Sequence, residues 1–254
     1  MPGKRLEGQR AIVTGASAGI GAAIAMRFAA EGASVWAAGG RNEEGLKHTL
    51  EACTGEGVKA GGKSYDLSDS NRAADIIREG AEFLGGLDIF VSCAATRKHK
   101  DITDFTPEDV DLLFEVNAKS PFRASMEAAK IMKAQKSGRI LIIGSIHGII
   151  GVAGNALYCT TKAANHSLTR ALATELGPDG IRVNCLAPGT TMSEGVKELY
   201  EAWPNLAQEK LPGISVRRFA SSEEMASIAA FMVSEENDFM NGSTVTSDGG
   251  TTAM

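Results

Sequence analysis

Length, composition and charge exclude several classes of protein. The chain has 254 residues, 43% hydrophobic and 22% charged, with a formal net charge of −5; this predicts a soluble globular protein and argues against a nucleic acid or an anionic membrane as the main partner. No apolar run is long enough to span a bilayer and the N-terminal segment lacks the apolar core of a secretory signal, so we expect a cytoplasmic protein.

Short apolar runs alternate with longer amphipathic stretches along the chain. The predicted strands are Arg10–Thr14, Ser34–Ala38, Gly61–Tyr65, Leu87–Ser92, Gly138–Ile143, Arg182–Leu186 and Thr244–Ser247. The predicted helices are Ile20–Glu31, Glu43–Cys53, Ser70–Phe83, Pro107–Lys136, Ala156–Gly177 and Ser222–Val233. This alternation is typical of a parallel sheet covered on both faces. Because no linker or repeat interrupts it, we predict one α/β domain, residues 1–254, built on a doubly wound parallel sheet.

The cysteines and histidines show no metal-binding pattern. The four cysteines form no Cys-x-x-Cys pair and the four histidines are scattered. We therefore expect free thiols in a reducing compartment and no zinc site.

A glycine-rich segment follows the first predicted strand. Thr14 and Gly15 end that strand, and Gly19, Ile20 and Gly21 open the first helix. A diphosphate there would meet free backbone N–H groups and the positive end of the helix dipole, and glycines would let the backbone approach it closely. The spacing alone also suits an ordinary strand–turn–helix junction, but its position after the first strand favours a nucleotide.

Tyr158 and Lys162 stand four residues apart, in YCTTK, on a predicted helix. Residues at this spacing share one helical face. A free tyrosine, with a pKa of about 10, is a poor base at neutral pH, and a neighbouring ammonium stabilises the phenolate. Such pairs also arise by coincidence, so this one gains meaning only beside a cofactor site.

Taken together, these motifs resemble the short-chain dehydrogenase/reductase family. The resemblance rests on Thr14-Gly-x-x-x-Gly19-x-Gly21, Asn117, Ser145, Tyr158-x-x-x-Lys162, Pro188-Gly189 and Asp248-Gly249-Gly250, in the family's order over nearly the whole chain. It implies a single Rossmann-like domain and an NAD(P)-dependent enzyme that interconverts a small-molecule secondary alcohol and a ketone. It also implies a homotetramer or homodimer, because the family's C-terminal tail often packs a tetramer.

The resemblance assigns catalytic roles to four residues. Tyr158 would protonate the nascent alkoxide, or accept the proton in the oxidative direction. Lys162 would support the phenolate and hold the nicotinamide ribose hydroxyls. Ser145, after the fifth strand, would hydrogen-bond the substrate oxygen, and Asn117 would fix a water that joins Lys162 to bulk solvent.

The residues expected around the cofactor are more numerous. They are Thr14, Gly15, Ser17, Gly19, Ile20, Gly21, Gly40, Arg41, Asp66, Leu67, Ser92, Ala94, Tyr158, Lys162, Pro188, Gly189 and Thr191. Asp66-Leu67 resembles the family's adenine contact, although Asp66 could instead cap the following helix. Thr191 is the expected contact of the nicotinamide carboxamide.

The segment after the second strand bears on the choice of dinucleotide. NAD-dependent enzymes tend to place an acid there, whereas this chain has Gly39, with Arg41 close by. Arg41 could pair with a 2′-phosphate through its fork of donors, or be a solvated loop residue. Ala18 stands where NADP-preferring relatives often carry a basic residue. We expect NADP to be favoured, with NAD possible.

One motif departs from the family's pattern. Ser92-Cys93-Ala94-Ala95 stands where the family usually has Asn-Asn-Ala-Gly. Two side-chain amides are missing and Ala95 adds a methyl group. We expect altered sheet hydrogen bonding or cofactor affinity, and no loss of the fold.

The substrate side is less constrained. Residues 192–212, with Tyr200, Trp203 and Leu206, are expected to form a flap over the substrate, or an oligomer interface. His147 and Asn155 are candidates to line the pocket, although His147 could equally be structural. The run Arg97-Lys98-His99-Lys100 could steer a carboxylate or phosphate substrate, but we interpret it as a solvated loop.

Two other functions remain open at this point. A dinucleotide-binding regulator could keep the fold without catalysis, but such a protein would be expected to have lost Tyr158 or Lys162. Dehydration or epimerisation could also run on the same scaffold.

Overall fold

One parallel sheet organises the described residues, 4–192 and 204–253, of the computed structural model. Its strands are β1 (Arg10–Thr14), β2 (Ser34–Gly39), β3 (Ala60–Ser64), β4 (Ile89–Ser92), β5 (Gly138–Ile143), β6 (Ile181–Pro188) and β9 (Thr244–Ser247), in the order β3-β2-β1-β4-β5-β6-β9. A separate parallel pair joins β7 (Thr191–Met192) to β8 (Ala220–Ser221). All pairings in the large sheet are parallel, so every strand ends at the same edge.

Helices cover both faces of the sheet. They are α1 (Gly19–Ala30), α2 (Glu43–Gly55), α3 (Arg72–Leu84), α4 (Pro107–Phe114), α5 (Ser120–Gln135), α6 (Ala156–Leu176), α7 (Pro204–Lys210) and α8 (Ser222–Met232). Side chains of α1, α2 and α8 pack on one face, and those of α3, α5 and α6 on the other. Neighbours in β1 show the period of two: Val13 faces the first core and Ile12 the second, both fully buried.

The strand order reverses beside β1. This strand pairs with β2 on one side and with β4 on the other, so the chain winds outward in both directions from that point. In open α/β sheets, ligands bind in the crevice beyond the carboxyl ends of the strands at such a reversal. The predicted doubly wound, Rossmann-like domain is therefore confirmed, and its crevice lies above Thr14 and Ser92.

The prediction of one continuous helix over Pro107–Lys136 is wrong. After α4, residues Glu115–Lys119 form a π-helical turn, and α5 begins only at Ser120. The extra residue in this turn is accommodated by bonds that a regular helix would not make: the Ser120 hydroxyl donates to the Glu115 carbonyl at 2.8 Å. The turn contains Asn117, which is buried, and π-turns of this kind occur frequently at functional sites.

Most of the predicted flap lies outside the described residues. Tyr200, Trp203 and the side chain of Leu206 lie outside the described residues; from 192–212 the structure describes Met192, α7 with the side chains of Asn205 and of residues 208–210, and the start of a 3₁₀ turn, Leu211–Gly213. Among the described helices, none combines the length and the apolarity needed to cross a bilayer.

Candidate active site

Thr14 joins the loops that follow β1 and β4. Its buried hydroxyl accepts hydrogen bonds from the backbone N–H groups of Cys93 and Ala94, at 3.0 and 3.1 Å, and lies 3.4 Å from the Val91 carbonyl, to which it donates. Backbone groups make these bonds, so they do not need the amide side chains that the Ser92–Ala95 segment lacks. Leu67, Ser92, Ala94 and Thr14 together line a small cavity at this edge.

The turn between β1 and α1 forms a backbone cradle. Gly15 has a φ of +70°, and a Cβ there would lie 2.8 Å from the Ala94 nitrogen. A Cβ at Gly21 would lie 2.3 Å from the Gly15 oxygen. The methyl side chain of Ala18, the N-cap of α1, cannot accept a hydrogen bond from the first N–H groups, and the first turn holds no acid. This geometry fits a diphosphate, which needs free N–H donors and close backbone approach.

The end of β2 is crowded at position 39. A Cβ on Gly39 would lie 2.9 Å from Leu46 Cδ2, so a carboxylate there would require the helix α2 side chain to move. The next residue, Gly40, donates to Ser17 Oγ at 3.4 Å, which brings the first and second loops together. Arg41 is exposed and forms no ion pair with any described residue.

Asp66 also lies exposed at this edge. Its Oδ1 accepts from the Ser68 N–H at 3.0 Å, whereas α3 begins only at Arg72 with Asn71 as N-cap, so the alternative that Asp66 caps this helix is wrong. Hydrogen bonds from Ser68, with a further contribution from the charge of Arg41, hold the pKa of Asp66 below its ordinary value. Asp66 and Arg41 therefore share one electrostatic neighbourhood.

Tyr158 and Lys162 meet at the end of β5. Lys162 is 3% exposed, and its Nζ lies 5.7 Å from the centroid of the Tyr158 ring. The same Nζ donates to the Ile143 carbonyl at 2.8 Å. Two residues further on, Ser145 Oγ accepts from the His147 N–H at 3.1 Å, and the His147 ring stands edge-on to Tyr158 with centroids 5.7 Å apart. The structure thus brings the predicted serine, tyrosine and lysine to one place.

Asn117 supports this group from the π-turn. Its Oδ1 accepts from the Thr96 N–H and its Nδ2 donates to the Thr96 carbonyl, both at 2.8 Å. The same Nδ2 donates to Thr161 Oγ1 at 3.1 Å, and that hydroxyl donates to the Tyr158 carbonyl at 2.9 Å. Asn117 therefore connects the loop after β4 to helix α6.

Sequence analysis missed the two partners of Asn117. Thr161 lies within YCTTK itself, three residues after Tyr158, so its position on the same helical face as Tyr158 could have been predicted from that spacing. Thr96 takes part through its backbone, which any residue possesses, and no sequence signal identifies it.

The two pocket candidates differ in character. Burial, with the positive charges of Arg97 and Lys210, lowers the pKa of His147 to about 4, so this ring is neutral near pH 7. Its Nδ1 is buried and has no hydrogen-bond partner among the described residues. Asn155 is buried, and its Oδ1 accepts from Arg97 Nε at 2.7 Å. Its Nδ2 lies 3.1 Å from both His99 Nδ1 and the Ala153 carbonyl. Asn155 thus holds Arg97 through an amide whose nitrogen and oxygen are both engaged.

The carboxyl ends of β6 and β9 complete the edge. The N–H of Gly189, directly after Pro188, donates to the Ser247 carbonyl at 2.9 Å, and Thr191 Oγ1 donates to the Gly189 carbonyl at 3.2 Å. Because all strands of the large sheet are parallel, Pro188, Gly189 and Thr191 lie at the same edge as Thr14 and Ser145.

Comparisons with known proteins agree with this arrangement over nearly the full chain. A family model described as enoyl-(acyl carrier protein) reductase matches residues 15–252. An uncharacterised oxidoreductase of Thermotoga maritima is 37% identical over 98% of this chain and 99% of that protein, and a gluconate 5-dehydrogenase of Gluconobacter oxydans is 32% identical over 97% and 96%. The crystal structure of a short chain dehydrogenase of Burkholderia cenocepacia in complex with NADP is 33% identical, with a TM-score of 0.91 over 98% of this chain and 99% of that one.

Proposed function

The chain belongs to the short-chain dehydrogenase/reductase family of oxidoreductases, and on that premise we propose that it interconverts a secondary alcohol and a ketone with NADP(H). The observation that carries the proposal is the position of the buried Lys162 ammonium, 5.7 Å from the ring of Tyr158 at the carboxyl edge of the sheet. A phenol and a cation held together there can exchange one proton with a substrate oxygen.

The cradle supports the dinucleotide part of the proposal. Gly15, Gly21 and the N-terminus of α1 would hold the diphosphate, and Asp66 and Leu67 the adenine. Lys162 would hold the nicotinamide ribose, and Thr191 the carboxamide. When bound, a nicotinamide dinucleotide supplies or accepts hydride at carbon. The protein supplies position, a proton and a fixed electrostatic environment.

Tyr158 is the proposed proton carrier. In the reductive direction its hydroxyl donates a proton to the oxygen of the new alkoxide; in the oxidative direction the phenolate takes that proton back. The Lys162 ammonium stabilises the phenolate in both directions by Coulomb attraction across a buried space of low dielectric constant. Because His147 has a pKa of about 4, it is a poor candidate for this proton transfer at neutral pH.

Ser145 and Asn117 are proposed to position the reacting groups. The Ser145 hydroxyl accepts one bond from the His147 N–H and keeps its proton to donate to the substrate oxygen. Asn117, tied to Thr96 and Thr161, would hold the loop and helix in register and fix the water that reaches Lys162.

Two features support NADP over NAD. Gly39 leaves no acid to repel a 2′-phosphate, and the space around it is filled by Leu46. Arg41 is exposed and without a carboxylate partner in the described part of the chain, so its guanidinium is free to bind a phosphate.

Titration with NADPH and with NADH, followed by nicotinamide fluorescence, tests this function first. Binding should be followed by a screen of ketones and secondary alcohols at 340 nm. We expect tighter binding of NADPH and turnover of at least one ketone. Binding of neither dinucleotide would overturn the proposal; binding without turnover across the screen would favour a regulator that senses the dinucleotide.

We also propose that the chain assembles into a homodimer or homotetramer. The apolar side chains of Phe122 and Met126, one turn apart on α5, and of Val110 on α4, are exposed, and apolar surface of this kind is typical of an interface. Size-exclusion chromatography with light scattering should give a multiple of the chain mass; a monomer at micromolar concentration would contradict this.

A further inference from the structure

The cationic run after β4 is not one solvated loop. Lys98 and Lys100 both donate to the carboxylate of Asp109, which is 2% exposed. Hydrogen bonds from Lys100 and Lys98 hold the pKa of Asp109 well below its ordinary range. These two lysines therefore have a structural role, because they bind a buried carboxylate at the start of α4.

Arg97 turns away from that carboxylate and lies over the proton carrier. Its guanidinium carbon is 5.7 Å from the centroid of the Tyr158 ring. Its Nε donates to the buried Asn155 at 2.7 Å, which fixes the direction of the side chain. The Arg97 side chain is exposed. Among the described residues, its two terminal nitrogens have no hydrogen-bond partner and no carboxylate partner. Within the described part of the chain, a guanidinium held in this way keeps the remaining N–H donors of its fork available beside the phenol.

A second cation, Lys210, is the last residue of α7. Partial burial and the charge of Arg97 both lower the pKa of Lys210. The charges of Arg97 and Lys210 also contribute to the lowered pKa of His147. Within the ranges that the structure describes, Lys210 forms no ion pair.

We propose that Arg97, with Lys210, binds an anionic group of the substrate, so that the alcohol or ketone handled at Tyr158 carries a carboxylate or a phosphate within a few bonds of the reacting carbon. The inference rests on the proposed function for the reaction at Tyr158. The fork of Arg97 matches the paired oxygens of either group. Arg97 thus determines specificity, and Asn155 positions it.

Matched pairs of carbonyl compounds test the inference. Acetoacetate and methyl acetoacetate differ in one negative charge, and dihydroxyacetone phosphate differs from dihydroxyacetone in a phosphate that carries nearly two at pH 7; kcat/KM is measured for each with NADPH. The variants are Arg97→Gln, Arg97→Lys and Lys210→Gln. Arg78→Gln is the control, because it removes the same charge from an exposed pair with Asp75 on α3.

We expect the wild type to prefer the anionic member of one pair. Arg97→Gln should lower kcat/KM for that compound by roughly 10- to 100-fold, while the neutral partner changes less than about threefold. Arg97→Lys should recover part of the preference, Lys210→Gln should lose a smaller part, and Arg78→Gln should change neither. An equal loss on both members would overturn the inference, since Arg97 would then only position Tyr158.

A binding measurement separates this inference from the proposed reaction. Malonate and inorganic phosphate are added to the protein with saturating NADPH, and the midpoint of thermal unfolding is followed. An anion that binds the native state raises this midpoint. We expect malonate or phosphate to raise it in the wild type and in Arg78→Gln, and less in Arg97→Gln; the more effective anion identifies the group.

The outcomes are distinguishable. Arg97-dependent stabilisation without turnover of any compound would retain the anion site and overturn the proposed reaction. Turnover of neutral ketones without Arg97-dependent stabilisation would retain the reaction and overturn the anion site.

Discussion

Lys162 donates a hydrogen bond from Nζ to the backbone carbonyl of Ile143, at 2.8 Å. This bond ties helix α6, which carries Tyr158, to the last residue of strand β5, two residues before Ser145. The lysine is therefore both the cation beside the phenol and a link between the elements that carry the two hydroxyl groups.

Tyr158→Phe should leave dinucleotide affinity unchanged and lower kcat by roughly 10²- to 10⁴-fold, because it removes only the hydroxyl that we propose carries the proton. The measurement is steady-state turnover together with an NADPH titration of the same preparation. Normal turnover in this variant would remove Tyr158 from the mechanism.

Lys162→Ala should reduce both turnover and dinucleotide affinity. Its removal takes away the phenolate's cation, the ribose ligand and the bond to Ile143. Thermal unfolding of the variant checks that the fold survives; a folded variant that keeps the wild-type affinity for NADPH would contradict the ribose role.

Arg41→Gln should weaken NADPH binding by roughly 10-fold and leave NADH binding unchanged, because only NADPH has a 2′-phosphate for the guanidinium to bind. Fluorescence titrations with both dinucleotides give the ratio of their dissociation constants. The same ratio in variant and wild type would make Arg41 an ordinary surface residue.

Gly21→Ala should raise the dissociation constant for the dinucleotide by at least about 10-fold and lower the midpoint of thermal unfolding. The added Cβ would lie 2.3 Å from the Gly15 oxygen, so α1 must move away from the cradle. Gly55→Ala at the end of α2 is the matched control, since a Cβ there meets nothing within 4 Å. Equal effects of both substitutions would argue against the cradle.

His147 makes a pH-dependent contribution to stability. Its pKa is about 4 in the folded protein and 6.5 in its ordinary state, so between these values the unfolded chain binds more protons and the free energy of unfolding falls as the pH is lowered. His147→Gln should therefore lose less stability than the wild type between pH 6.5 and pH 4.

Urea unfolding at several pH values measures this difference. His48→Gln, at an exposed position on α2, is the control and should follow the wild type. The slope will not vanish in His147→Gln, because burial also lowers the pKa of His166. A slope identical to that of the wild type would contradict the prediction.

Much of the fold could be predicted from the period of the apolar residues. Each strand of the large sheet was found within two residues of its predicted bounds; for β1, β4 and β5 the reason is that buried parallel strands need near-continuous apolar runs. The π-turn at Glu115–Lys119 could not be predicted in this way. Within this turn, Asn117 accepts a hydrogen bond from the Thr96 N–H and donates one to the Thr96 carbonyl, so its partner lies 21 residues away in the chain.

The candidate site likewise divides into a part that could be predicted from the sequence and a part that could not. The sequence alone was enough to name the candidate residues: Tyr158 and Lys162 by their spacing, Ser145 by the resemblance to the family, and the glycines by the close approach that a diphosphate requires. Only the tertiary structure decided where each charge of the run after β4 points. Lys98 and Lys100 donate to Asp109 of α4, whereas Arg97 donates to Asn155, directly before α6, and lies over the ring of Tyr158. The direction of each side chain depends on the partner that folding brings within reach of it.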